Sequence, residues 1–152
     1  LENLYSGDNE GRTKTLNLLY KMDQYFPTDI IPVSEPDLDI QIGRIYAQAG
    51  NPEELVNRLV KLEKRKGLSI ETLFYIGQVY MSELADFNSA LELYNKLKNE
   101  YPHIADVRYA LAQIYSQSED IPKAVEELEE WLLINPGDEK AKEMLSILTT
   151  RM

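Results

Sequence analysis

Imidazole and thiolate chemistry has a single candidate in this chain: His103 is its one histidine, and there is no cysteine. His103 follows Pro102 in a stretch that reads as a loop between helices, and no motif supplies the convergent partners that a triad or a metal site needs. It reads as a solvated residue or one that helps start the next helix. Asp37-Leu38-Asp39 has the spacing of an acidic pair that can hold a divalent metal with a nucleotide diphosphate. That chemistry requires the pair at the end of a strand in an α/β domain, whereas here it opens a helix, where carboxylates complement the positive end of the dipole. Glu126, Glu127, Glu129 and Glu130 raise the idea of a cation site or a patch for a basic partner. Lys123, four residues before Glu127, and the need for a wet helix face favour a solvated surface instead. No glycine-rich phosphate loop, zinc spacing, calcium loop or nucleophile elbow is present. The expectation is a segment without catalytic residues, metal or cofactor.

The bulk properties narrow the partners. The chain has 152 residues, 43% of them hydrophobic and 28% charged, enough for a sizeable core without staples. Sixteen basic against 26 acidic side chains leave a net charge of -10, which repels phosphate backbones and anionic lipid surfaces. Nucleic acid is therefore not an expected ligand. Lack of cysteine excludes disulfides and cysteine-ligated zinc but selects no compartment. No apolar run approaches the roughly 20 residues that span a bilayer, so this segment is not expected to insert into a membrane. The chain begins at Leu1 inside what reads as the end of a helix, and is expected to be part of a longer protein.

What organises the sequence is a fixed step. Ile42, Gly43 and Tyr46 return as Ile76, Gly77 and Tyr80, and Ala90…Pro102 returns as Ala124…Pro136, in both cases after 34 residues. Self-similarity at that period implies helix-turn-helix units that cannot bury their apolar faces alone and stack on their neighbours. The small Gly or Ala lets one helix approach another, and the large Tyr fills the groove beside it. At these residues the chain resembles the tetratricopeptide repeat family, whose unit pairs a helix A bearing a Leu-Gly-x-x-Tyr type signature with a helix B that begins near a small Ala and ends before a Pro.

Three full units follow this pattern, at 36–67, 69–102 and 105–136. In the first, Ile42, Gly43, Tyr46, Gly50, Leu59 and Leu62 match, while Leu55 stands where the family prefers Ala and should spread the helix pair. The second carries Leu73, Ile76, Gly77, Tyr80, Ala90, Tyr94, Leu97 and Pro102, with one residue inserted in the turn around Leu84 to Asp86. The third offers Leu111, Ala112, Tyr115, Ala124, Leu128 and Pro136, with Trp131 in place of a small residue, a ring that needs a roomy neighbour. Asn51, Pro52 and Glu54 read as a cap, a first-turn Pro and a capping-box Glu, and Asp86, Asp120 and Asp138 read as N-caps.

An incomplete unit at 1–27, with a helix over Arg12 to Phe26, and a linker at 28–35 precede these units. A helix at 138–150 follows, with Ala141, Met144, Leu145 and Leu148 as an apolar stripe that caps the stack and covers Trp131. The expected fold is a single all-α domain, a right-handed α-solenoid of antiparallel helix pairs.

The resemblance further implies that helix A lines a concave side, with a ligand-facing stripe at residues just off the Gly and Tyr positions. That stripe comprises Ile40, Arg44, Ala47 and Gln48, then Phe74, Gln78, Met81 and Ser82, then Tyr109, Gln113, Ser116 and Gln117. Apolar Ile40, Phe74 and Tyr109 flanked by amides suit a peptide or helix whose side chains dock while its backbone bonds the amides. Chaperone-binding members clamp a terminal carboxylate with several Lys, Arg and Asn residues that this stripe lacks. The expected function is non-catalytic binding of a protein or peptide. Two alternatives stay open. Residues 6 to 50, with Tyr25-Phe26-Pro27 and Ile30-Ile31-Pro32, look like the soluble C-terminal tail of bacterial multi-spanning membrane proteins related to glycosyltransferases, which would make the segment an accessory domain on the periplasmic side. The incomplete first unit could instead serve self-assembly by covering its apolar face with a second chain. Compartment and oligomeric state stay undecided at this level.

Overall fold

The computed structural model describes residues 36–150 and, ahead of them, the isolated positions 11, 14, 17, 18, 21 and 24. Of the helix expected over 12–26 only the isolated positions 14, 17, 18, 21 and 24 are described, each of them helical, and the linker at 28–35 lies outside the described residues. The chain forms two compact units, 1–72 and 73–152. The first contains α1 (Pro36–Gln48) and α2 (Pro52–Glu63). The second holds nearly all of α3 (Ile70–Ser82), then α4 (Phe87–Glu100), α5 (Ala105–Gln117), α6 (Ile121–Ile134) and α7 (Glu139–Thr149). The described residues are all-α and contain no strand.

One local device makes each turn from helix A to helix B. Gly50, Ala85 and Glu119 have φ of 94, 50 and 62°, the left-handed region, and each immediately precedes the N-cap of the following helix. The N-cap amide then donates to a tyrosine carbonyl of the preceding helix: Asn51 N to Tyr46 O at 2.9 Å, Asp120 N to Tyr115 O at 2.8 Å, and Asp86 N to Tyr80 O at 2.9 Å. The last of these spans one residue more than the other two, so the insertion read between Tyr80 and Ala90 is absorbed in the turn while its end point stays the same. Asp86, Asp120 and Asp138 cap as expected, accepting from the amides of Ser89 at 3.1 Å, Lys123 at 3.3 Å and Ala141 at 3.0 Å. Asn51 makes no side-chain cap bond. Glu54 forms no capping box either; it reaches forward to Arg58 Nε at 3.2 Å.

Helix A meets helix B through a missing side chain. A Cβ placed on Gly43 would lie 2.7 Å from Leu55 Cδ1 and 3.1 Å from Leu55 Cα. Leu55 thus does not spread the pair; its bulk occupies the space that Gly43 leaves empty, and it is buried. At Gly77 the same space is taken by the Tyr94 ring, whose Cζ would sit 2.5 Å from a Cβ. Ala112 plays this part on α5 and is itself fully buried, in a cluster with Ala124, Leu128, Trp131, Ala141 and Leu148. The three alanines give the indole its room, and α7 supplies its cover.

Beside each of these contacts the repeat places one further pair of positions, four residues before the small residue on helix A and three after the Leu55, Ala90 or Ala124 position on helix B. On α1 and α2 the pair is Asp39 and Arg58, joined at 2.8 Å and both essentially without exposure. Arg65 adds a bond to Asp39 Oδ2 at 3.0 Å, and the Tyr46 ring lies 5.5 Å from the Arg58 guanidinium. On α5 and α6 the pair is Arg108 and Glu127, also 2.8 Å apart and also separated by 19 residues, with the charges exchanged. Lys98 of α4 bonds Glu127 at 2.6 Å, and Glu130 accepts from Arg108 at 2.8 Å. On α3 and α4 the same positions are Leu73 and Leu93. Two expectations are corrected here. Asp39, read as a carboxylate complementing the dipole of α1, is a buried ion-pair partner. Glu127 leaves the wet face of α6, and Lys123 pairs with Asp120 at 2.7 Å instead.

Removing Arg108 leaves Glu127 and Glu130 with Lys98 alone to answer two carboxylates, whereas an apolar pair of similar size costs little. Arg108→Leu is expected to lower unfolding stability by about 2–4 kcal/mol, and Arg108→Leu/Glu127→Leu, which copies Leu73 and Leu93, to recover most of the loss. Urea unfolding followed by Trp131 emission checks this; a double variant no better than the single one would refute it. In the turns, Ala85→Gly and Glu119→Gly remove left-handed strain and are each expected to raise stability by about 0.5–1 kcal/mol. A fall in the urea midpoint of either variant would refute that account.

Candidate functional site

Helices α3 and α5 spend one face on their B helices through Gly77 and Tyr80 and through Ala112 and Tyr115. Residues at steps of three and four beginning at Phe74 and Tyr109 therefore share another face. There Phe74, Gln78, Met81 and Ser82 come together with Tyr109, Gln113 and Gln117 around a groove of about 610 Å³, which Tyr94, Asp106, Ala110 and Lys140 complete. All of these residues belong to the unit 73–152.

The aromatic members are fixed from behind. Tyr94 stacks on Phe74 with centroids 5.3 Å apart at 58°, and its hydroxyl donates to the Phe74 carbonyl at 3.0 Å. Burial pushes the Tyr94 phenol well above its usual range. Tyr109 donates to Asp138 Oδ2, the oxygen that also accepts from Trp131 Nε1 at 2.7 Å, while the other oxygen caps α7. These donors, led by Tyr109, hold the Asp138 carboxyl down at about 2. Desolvation, together with the bond to Asp138, pushes the Tyr109 phenol up. Lys140 Nζ stands 4.1 Å from the centroid of the Tyr109 ring. One carboxylate thus joins a groove residue, the buried indole and the start of the capping helix.

Of the residues expected to face a ligand, Phe74, Gln78, Met81, Tyr109, Gln113 and Gln117 line this one groove. Ile40, Arg44 and Gln48 lie in the unit 1–72. Ile40 has no exposed surface and faces no ligand, a correction to the expected stripe. Neighbouring Asp39 is equally buried, whereas Leu38 before it is exposed. Arg44 is half-buried and Gln48 exposed.

Sequence reasoning missed the contribution of α7. Lys140 lines the main groove, and a second cavity of about 330 Å³ adjoins it, sharing Gln113 and Gln117 and walled by Ala112, Met144, Ile147 and Leu148. The signal was available: Ile147 follows Gln113, and Lys140 follows Asp106, at the same step of 34 residues.

The groove offers carboxamides, hydroxyls and aromatic faces, which suit hydrogen bonding and apolar contact. Among the described residues no group of three or more His, Cys, Asp or Glu side chains could hold a metal ion. His103 is exposed in the turn before α5. No helix among the described residues is long and apolar enough to cross a membrane.

Because the folded-state value of Asp138 lies below that of an unfolded aspartate, its stabilisation is complete above about pH 4 and is lost as pH falls towards about 2. Acid titration of Trp131 emission is expected to show a transition in that window that Asp138→Ala removes. At neutral pH the same variant, lacking cap and acceptor, should lose about 1–2 kcal/mol in urea unfolding. An unchanged acid profile would show that Asp138 does not hold the indole.

Residues 83–148, from the turn before α4 almost to the end of α7, match the profile of the Tetratricopeptide repeat family. No curated protein matches the chain at a significant level. This stretch carries small residues, tyrosines and capped turns described above and is similar to the tetratricopeptide repeat family, whose members typically serve as non-catalytic scaffolds for protein–protein contact.

Proposed function

We propose that this protein is a non-catalytic interaction module and that the groove of residues 73–152 holds an extended segment of a partner protein. The observation that carries this reading is the convergence of Gln78, Gln113 and Gln117 with Phe74, Met81 and Tyr109 around one groove. A carboxamide both donates and accepts, so a row of them can satisfy the amides and carbonyls of an extended backbone, while the aromatic and thioether groups take its side chains. The three glutamines are exposed and so are not spent on the fold. Among the described residues Lys140 is the only cation lining the groove, which disfavours clamping of a terminal carboxylate, a task for several fixed cations.

Gln113→Arg/Gln117→Arg fills the groove with charge at two exposed positions. A partner recovered from native extract, detergent-solubilised membranes included, is expected to be lost by this variant and kept by Lys96→Glu, an exposed site on α4 away from the groove. Protease trimming of the captured partner should leave a short protected segment. Capture unaffected by the groove substitutions would overturn the proposal.

A further inference from the structure

Resting on the reading above, we propose that α7 gives the groove an apolar side-chain pocket, and that the bound segment carries one Leu-, Ile- or Met-sized residue there, flanked by basic residues. The cavity of about 330 Å³ is walled by Ala112, Met144, Ile147 and Leu148 and opens beside Gln113 and Gln117, the amides that it shares with the main groove. A chain laid along those amides reaches the pocket without leaving them.

The distribution of polarity on α7 points the same way. Where helix A of each earlier repeat receives its helix B, through Asp39, Gly43 and Tyr46 or through Arg108, Ala112 and Tyr115, α7 presents Lys142, Ser146 and Thr149, all exposed. Polar Ser146 and Thr149 thus stand at positions that are small or aromatic in the earlier A helices. Ile147 lies on the groove side, in step with Gln113, and is 56% exposed. Its counterparts Gln78 and Gln113 show that the fold accepts a polar residue at this place. An exposed isoleucine confined to the face that meets the groove, over half-buried Met144, supplies apolar surface only where a ligand would cover it.

Charge selects the flanks. Lys140 Nζ is engaged with the Tyr109 ring, Asp106 lines the same groove, and the chain carries a net charge of -10. A segment with acidic flanks meets this field unfavourably, and one with Lys or Arg is drawn to it.

The test is selection from a random-peptide phage library on the full chain, on Ile147→Asp, on Ile147→Gln, which restores the repeat's own residue type, and on the blocked Gln113→Arg/Gln117→Arg variant. The wild type is expected to enrich peptides with Leu, Ile or Met at one fixed position and Lys or Arg nearby. A synthetic copy should bind Ile147→Asp and Ile147→Gln at least about tenfold more weakly, with Trp131 emission reporting that both variants remain folded. Enriched peptides that lack the aliphatic position, or that bind both Ile147 variants with undiminished affinity, overturn the pocket while leaving the groove reading intact. Absence of any peptide enriched over the blocked variant overturns both.

Discussion

The groove in this fold depends on how closely helix A can lie on helix B. At Gly43 the Leu55 backbone itself would crowd an added methyl, and at Gly77 the Tyr94 ring would. Close approach commits one face of each A helix, and with it the direction of every other side chain on that helix. Phe74, Gln78 and Met81 can form a groove wall because Gly77 and Tyr80 have settled which way α3 faces. The same holds on α5, where Ala112 and Tyr115 are spent inward while Tyr109, Gln113 and Gln117 line the groove.

Helix α7 extends this logic and ties it to the chemistry of a single carboxylate. Asp138 caps α7, takes the Trp131 indole and takes the Tyr109 hydroxyl. Tyr109 therefore belongs both to the groove and to the core. A ligand that bonds its hydroxyl must compete with an anion already holding it, whereas Gln113 and Gln117 are exposed and available. The amides are the adaptable part of the groove and the aromatic residues its fixed part.

How much of this is legible in the sequence follows from the range of the forces involved. Gly43, Gly77, the tyrosines and the aspartate caps act within a turn or two, so spacing reveals them, and even the extra residue between Tyr80 and Ala90 shows up by counting. Trp131 under α7 was readable because a large ring among small residues needs a lid. Asp39 and Glu127 were misread because dipole and i,i+4 rules look along one helix, while their partners lie 19 residues away on another. Ile40 was misread by assuming equal exposure at equal repeat positions, whereas Ile40 is fully buried and Phe74 only half-buried. Ile147 was passed over because α7 reads as a lid, and a lid can also form a wall.

The exchanged charges address a difficulty that any repeat protein faces. Helices built to one pattern fit each other's partners nearly as well as their own, so steric matching alone identifies helix B poorly. Here α1 carries Asp39 and α5 carries Arg108 at the same place, opposite Arg58 and Glu127. Setting α1 on α6 would bring Asp39 against Glu127, and setting α5 on α2 would bring Arg108 against Arg58, each a like-charge contact at largely buried positions. Pairing either with α4 would bury a charge against Leu93. Like charges at such positions and unpaired buried ions each cost several kcal/mol, whereas the correct ion pairs add little net stability over an apolar pair. The value of these two pairs therefore lies in the arrangements they forbid, which explains why the repeat between them, with leucines at both positions, is no worse for lacking one.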